Sequence, residues 1–147
     1  MIHYAIKKYP LSLFCIAVVW TLSLVPFFPE TPLDDVPFMD KWTHLIMYGG
    51  TCSVIWFEII RNFKSNIKTS NLAKPTHRPS PFTLHPAPLF WAWLAPILMS
   101  GLLELLQAYC TTTRNGDWLD FAANSLGATL AIPIGLLYAG FALKNEK

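Results

Sequence analysis

Four apolar segments dominate the chain, and more polar stretches separate them. They run roughly over residues 11–28, 42–60, 89–110 and 119–143. A helix needs about 20 mostly apolar residues to cross the hydrocarbon core of a bilayer, and each segment is close to that length. The pattern therefore predicts an all-α, polytopic membrane protein, a four-transmembrane-helix bundle formed by one domain over residues 1–147.

The composition excludes several classes of protein. Of the 147 residues, 53% are hydrophobic and 14% are charged, whereas a soluble domain has about 25% charged residues. A soluble enzyme and a disordered tail are therefore excluded, and the net charge of +2 is too small to suggest a nucleic-acid partner. The three cysteines, Cys15, Cys52 and Cys110, are far apart and fit neither a disulfide framework nor a zinc-finger pattern.

The basic residues predict the orientation in the membrane. Residues 61–87 hold five basic residues, several prolines and no acidic residue, and are expected to form a flexible cytoplasmic loop. With four spans, the opposite, outer side keeps only Lys41 and Arg114 as basic residues, so the positive-inside rule puts both termini in the cytoplasm. The first segment ends in VPFFPE without a small-residue cleavage site, which favours a retained signal anchor. We expect a multi-pass protein of the bacterial inner or plasma membrane.

Polar side chains recur at helical spacing near the outer ends of three segments. Asp40, His44 and Tyr48 are four residues apart and share one face of a helix. Glu104 and Gln107, three residues apart, share a face of a later helix. The fourth segment starts with a third stripe: Asp117, Asp120 and Asn124.

These three stripes predict a polar pocket that is open to the outer side. Each side chain that faced lipid would cost several kcal/mol, so the stripes are expected to face one another. Below Asn124, the small residues Gly127, Ala131 and Gly135 form a ridge that allows close helix packing. The expected members of the pocket are Asp40, Lys41, His44, Glu104, Gln107, Arg114, Asp117, Asp120 and Asn124, with Tyr48 one turn deeper.

Several of these residues also fit purely structural roles. Asp40 suits the positive end of a helix dipole, and Lys41 can extend its amine to the membrane interface. Asp117 is placed to cap the N-terminus of the fourth helix. Arg114 can pair with Asp117 or with Asp120.

The same alternative applies to the residues deeper in the segments. Glu104 lies within the apolar run ILMSGLLELLQAY, where it can form a structural ion pair with Lys41 or Arg114. His44 and Asn124 can join helices through hydrogen bonds. Tyr48 is compatible with a packing role, so only the shared side and depth of the set favour a functional site.

Three motifs follow one another along the chain: DKWTHLIMYGG, GLLELLQAY and RNGDWLDFAANSLGA. Together they resemble the VanZ-like family of small membrane proteins, named after the teicoplanin-resistance protein of glycopeptide-resistant bacteria. The resemblance covers roughly residues 38–135 apart from the basic loop, and it departs from the family pattern at Thr113, often proline, and at Ala131, often glycine. The matching positions are Asp40, Lys41, His44, Tyr48, Glu104, Gln107, Arg114, Asp120, Asn124 and Gly127.

The resemblance implies an integral membrane protein of the cell envelope that contributes to low-level teicoplanin resistance. We expect the pocket to bind an anionic ligand, either a membrane lipid or lipid-linked cell-wall precursor, or a glycopeptide. Lys41 and Arg114 would hold phosphate or carboxylate, since arginine suits bidentate contact. Gln107 and Asn124 would orient the ligand.

Three other classes of function stay open. In a membrane enzyme acting on a lipid-linked phosphate, His44 with Glu104 or Asp40 would act as acid and base. No nucleophile motif is recognisable and no resident cofactor is predicted, although the carboxylates with His44 are compatible with a divalent cation. In a purely structural cluster the same residues only join the helices. A transporter would need this small bundle to assemble as a homo-oligomer.

Overall fold

The computed structural model describes residues 2–25, 37–71, 89–110 and 116–144, and these are helical with no strand among them. A single π-helical turn, Phe90–Leu94, leads directly into the fourth helix. The all-α class is therefore confirmed. The helices are α1 (Ile2–Lys8), α2 (Pro10–Leu24), α3 (Met39–Asn71), α4 (Ala95–Cys110) and α5 (Trp118–Lys144).

The helix ends differ from the predicted segments at two places. Helix α2 ends at Leu24 because Val25 is extended, as expected for a residue that precedes a proline. Residues 61–71 do not begin the expected loop but continue α3, since they contain neither proline nor glycine. The rest of that loop, and residues 26–28 of the first segment, lie outside the described residues.

The helices alternate in direction. Ser12, at the start of α2, contacts the second half of α3 through Glu58, whereas Ser23 at its end accepts a hydrogen bond from Gln107 near the end of α4. Lys64 in the second half of α3 donates to the backbone carbonyl of Ala142, near the end of α5 (3.1 Å). Helices α2 and α4 therefore run one way, and α3 and α5 run the other.

Small residues bring α3 and α5 into close contact. A Cβ atom added to Gly127 would collide with the backbone oxygen of Leu45. A Cβ atom at Gly135 would lie 2.6 Å from the Trp56 ring, and Ala131 between them is fully buried. The predicted small-residue ridge is confirmed, and it faces α3.

The outward faces of three helices are apolar. On α5 the exposed residues follow one another at spacings of three and four, which marks a single stripe. Soluble monomers rarely expose apolar patches of more than a few hundred Å², whereas helices in lipid do so by necessity. The exposed stripes are Phe14, Val18 and Leu22 on α2, Leu98, Leu102 and Leu105 on α4, and Leu126, Leu130, Ile134, Leu137 and Phe141 on α5.

Within the part of the chain that the structure describes, two stretches of helix are long and apolar enough to cross a membrane, Phe90–Cys110 and Trp118–Ala142. Of their most apolar parts, only 28% and 22% are buried inside the protein, unlike the core helix of a soluble protein. Helix α2 has 15 residues and is shorter than the roughly 20 that a span needs. Four spans with cytoplasmic termini therefore stay a prediction.

Candidate functional site

Helices α3 and α5 start side by side and enclose the amine of Lys41 with three carboxylates. Its Nζ atom donates to Asp117 Oδ2 at 2.6 Å and to Asp40 Oδ2 at 3.3 Å. A third hydrogen bond goes to Asp120 Oδ1. We call Lys41 with these three aspartates the lysine cluster. An ammonium group has three donors, so the chain's own carboxylates can use all of them.

The contacts within the lysine cluster stabilise the charged forms of Lys41 and Asp117. Partial burial by itself would lower the pKa of Lys41, but the hydrogen bonds to Asp117 and Asp120 outweigh it and raise that pKa above its usual value. The same hydrogen bond, helped by the backbone N–H of Leu119, lowers the pKa of Asp117. Lys41 is expected to hold a ligand anion, and that anion would therefore have to compete with the three carboxylates that already contact the amine.

Asp117 also begins helix α5. Its Oδ1 atom accepts the backbone N–H of Leu119 at 2.9 Å, which satisfies one of the donors that have no partner inside the first turn. The predicted N-cap is confirmed. Its proposed partner Arg114 lies outside the described residues.

A buried chain of hydrogen bonds joins three helices beneath the lysine cluster. His44 Nδ1 on α3 lies 3.1 Å from Asn124 Oδ1 on α5, and Asn124 Nδ2 donates to Ser100 Oγ on α4 at 2.8 Å. All three residues are buried. The predicted bridging role of His44 and Asn124 is confirmed. Ser100 was not predicted, although it lies four residues before Glu104 and shares its face.

The second ring nitrogen of His44 faces the lysine cluster. His44 Nε2 is 3.7 Å from Asp40 Oδ1 and 3.8 Å from Asp120 Oδ2. These distances exceed those of ordinary hydrogen bonds. The three donor atoms lie within 4.8 Å of one another, which is close enough to hold a metal ion.

Glu104 contacts Gly116 and Asp117, the two described residues that lead into α5. Its Oε2 atom accepts the backbone N–H of Asp117 at 3.0 Å, and it lines a cleft with Phe121. A Cβ atom at Gly116 would lie 2.5 Å from the Glu104 backbone oxygen, so glycine allows this close approach. Among the described residues Glu104 makes no ion pair, and the predicted pair with Lys41 is not present.

Two predicted pocket residues lie away from the lysine cluster. Gln107 donates to the backbone carbonyl of Ser23 at 2.7 Å, which satisfies an acceptor at the C-terminal end of α2. Tyr48 is buried against Val19 and Leu103. Its hydroxyl is near Ser100 but makes no hydrogen bond of normal geometry within the described chain.

Sequence reasoning missed a buried carboxylate in the second half of α3. Glu58 is 0% exposed. It accepts the backbone N–H groups of Leu11 and Ser12, at 3.2 and 2.9 Å, and the Ser12 hydroxyl at 2.7 Å. These donors open helix α2, so Glu58 caps α2 from a neighbouring helix. In the sequence, the signal that could have indicated this residue is its position within the apolar run CSVIWFEII.

No family model, curated protein or solved structure matches this chain significantly. The resemblance to VanZ-like proteins therefore depends on the motifs of this sequence alone. Any function must be argued from the residues and contacts described above.

Proposed function

We propose that this chain is a VanZ-like integral membrane protein of the bacterial cell envelope. Its outer polar pocket binds an anionic ligand, lipid-linked or of glycopeptide type, and thereby contributes to low-level teicoplanin resistance. One observation carries the proposal: α3, α4 and α5 bring Lys41, Asp117, Asp120 and Glu104 to the same end of the helices. Such a concentration of charge among apolar helices is costly in a bilayer and typical of a functional site.

The proposal includes four membrane spans with both termini in the cytoplasm. It is supported by the alternating directions of α2, α3, α4 and α5 and by the exposed apolar stripes on three of them. Lys64 lies at the end of the helices opposite to the lysine cluster. That end would face the cytoplasm, as the positive-inside rule requires.

Resistance measurements with matched variants test this function. The wild type, Glu104→Gln and His44→Ala are expressed in a glycopeptide-susceptible Gram-positive host, with Leu137→Ile on the exposed face of α5 as the control. We expect the wild type and Leu137→Ile to protect against teicoplanin, and both pocket variants to lose protection at equal abundance in the membrane. If the wild type gives no protection, the resistance function is wrong. If protection simply follows the amount of protein, the polar cluster is structural.

A membrane enzyme acting on a lipid-linked phosphate is the second candidate. It is favoured by the buried imidazole of His44, whose Nε2 faces two carboxylates and is placed to exchange a proton. Purified protein would be assayed for phosphate release or transfer with undecaprenyl phosphates, with added magnesium and with EDTA. Absence of product in every condition would exclude this candidate.

A further inference from the structure

Two carboxylates of the lysine cluster each divide their oxygens between Lys41 and His44. Asp40 uses Oδ2 for Lys41, at 3.3 Å, and turns Oδ1 toward His44 Nε2, at 3.7 Å. Asp120 uses Oδ1 for Lys41 and turns Oδ2 toward the same nitrogen, at 3.8 Å. Two carboxylate oxygens and one imidazole nitrogen therefore face a common point that Lys41 does not occupy.

The hydrogen bonds of His44 determine what its Nε2 presents at that point. Asn124 donates its amide N–H to Ser100, so its amide oxygen faces His44 Nδ1. Nδ1 therefore carries the ring proton, and in the neutral ring Nε2 carries a lone pair. This lone pair faces two negative oxygens, and Nε2 makes no hydrogen bond within the described residues. The His44 side chain is only 9% exposed, so water cannot fully relieve the repulsion.

The charge of the lysine cluster points to a divalent ion. Three carboxylates and one ammonium leave two negative charges uncompensated within the described residues. The count covers the lysine cluster alone, and Glu104 is not a member because it makes no ion pair with Lys41 and instead accepts the backbone N–H of Asp117. An ion of charge +2 would neutralise the lysine cluster and remove the repulsion at Nε2.

We propose that Asp40, His44 and Asp120 bind one divalent transition-metal ion of the zinc or manganese class. A mixed set of one imidazole and two carboxylates suits these ions better than the all-oxygen sites of calcium or magnesium. Metal–ligand distances of about 2.0–2.2 Å require the three donors to close in slightly from their present separations. Asn124 orients the imidazole through its other nitrogen, as partners of metal-bound histidines commonly do.

Three protein ligands leave the metal a position for water or for an oxygen of a ligand. That position lies toward Asp40, whose side chain is 60% exposed. Because the donors of Lys41 are used by carboxylates, the metal would supply the positive charge that attracts a phosphate or carboxylate. This role rests on the proposed function, whereas metal binding itself does not.

Metal binding by the purified full-length chain tests the inference. His77 and His85 are first replaced by glutamine so that they cannot bind the ion. The detergent-solubilised protein is stripped with a chelator and dialysed against ZnCl₂ or MnCl₂ near neutral pH. We expect one ion per chain, and at least tenfold weaker binding in Asp40→Asn.

The matched control is Asp117→Asn, which removes a carboxylate of the lysine cluster that does not face His44. We expect it to bind within about threefold of the wild type, and X-ray absorption of the zinc form to show one nitrogen and several oxygen neighbours. The inference is wrong if the wild type binds no ion, if Asp40→Asn binds as tightly as the wild type, or if sulfur neighbours place zinc on a cysteine. It is also wrong if both variants lose binding equally, because overall charge would then be the cause.

Resistance measurements separate this inference from the proposed function, with Leu137→Ile on the exposed face of α5 as the control for protection. If Asp40→Asn loses metal binding and teicoplanin protection while Leu137→Ile keeps both, the inference and the proposed function are supported together. If the wild type binds the ion but gives no protection, the metal site stands and the resistance function fails. If protection is found but no ion binds, the metal site fails alone.

Discussion

At the scale of single residues, Lys41 makes the meeting of α3 and α5 possible. Without its ammonium, three carboxylates would repel one another where the two helices start. Asp117 has two tasks there, because one oxygen pairs with Lys41 and the other caps α5. These tasks can be separated by a substitution that keeps the cap and removes the charge.

Asp117→Asn should lower the thermal stability of the protein in detergent near neutral pH. Because the pKa of Asp117 is lowered in the folded state, its charge stabilises the fold above the ordinary aspartate pKa of about 3.9. This contribution is lost as the pH falls through the folded-state pKa. The difference from the wild type should therefore narrow in acid. Melting temperatures of the wild type and Asp117→Asn, measured from neutral to acidic pH, check this narrowing. A difference in melting temperature that stays constant over this range would contradict the prediction.

The helical spacing of the pocket residues explains how much of the site can be predicted from the sequence. Helical spacing correctly grouped Asp40 with His44, and Asp117 with Asp120 and Asn124, because spacing determines the face of one helix. It does not determine which neighbour that face meets. Gln107 shares a face with Glu104 in sequence, yet it lies nearly one turn further along α4 and donates to a backbone carbonyl at the end of α2.

At the scale of elements, α3 contacts every other long helix and its two ends are held differently. Near its start it meets α5 through charges, and further on it meets α2 through Glu58. Apolar length predicted α4 and α5 well, since prolines or polar residues flank both apolar runs in the sequence. The extension of α3 past residue 60 was not predicted, because the basic residues and prolines of residues 61–87 together favour a loop by composition.

Glu58→Gln should destabilise the protein by about 2–3 kcal/mol, because a carboxylate that accepts three hydrogen bonds from α2 becomes an amide with one oxygen. The amide NH₂ would also face the N–H groups of α2. The control is Arg61→Met. The Nη2 atom of Arg61 lies 3.5 Å from Glu58 Oε1 and the arginine side chain is 47% exposed, so this substitution should cost no more than about 1 kcal/mol of stability. Chemical denaturation in mixed micelles measures both. Equal costs would argue against the capping role.

Gly127→Ala should destabilise the packing of α3 on α5 by about 1–3 kcal/mol or more, since the new methyl group would collide with the Leu45 backbone. The matched control is Gly140→Ala in the same helix, where nothing lies within 4 Å of the added atom. It should be neutral or slightly stabilising, because alanine is the better helix former. Thermal unfolding compares the two, and similar melting temperatures would show that the close approach is unimportant.

At the scale of the whole molecule, the exposed apolar stripes surround helices whose polar groups meet at two ends. This arrangement suits a bilayer better than water, and Cys110 offers a natural probe of its orientation. Cys110 is exposed and lies one turn beyond Gln107 on α4, toward the end that carries the lysine cluster.

A membrane-impermeant maleimide should label Cys110 from outside intact cells. Cys110→Ser should remove this labelling. Asn66 is exposed in the last part of α3, at the end of the helices opposite to the lysine cluster. The double variant Cys110→Ser with Asn66→Cys should be labelled only after the membrane is permeabilised. Labelling of Cys at position 66 in intact cells would contradict the proposed orientation.

The length of α2 has a consequence for the membrane itself. Its 15 residues extend about 22 Å at 1.5 Å per residue, against a hydrocarbon core of about 30 Å. If α2 is one of the four proposed spans, the bilayer would have to thin around it, at a modest free-energy cost for each ångström of hydrophobic mismatch. The protein would then concentrate in thinner regions of the membrane, and reconstitution should be most stable in lipids with short acyl chains.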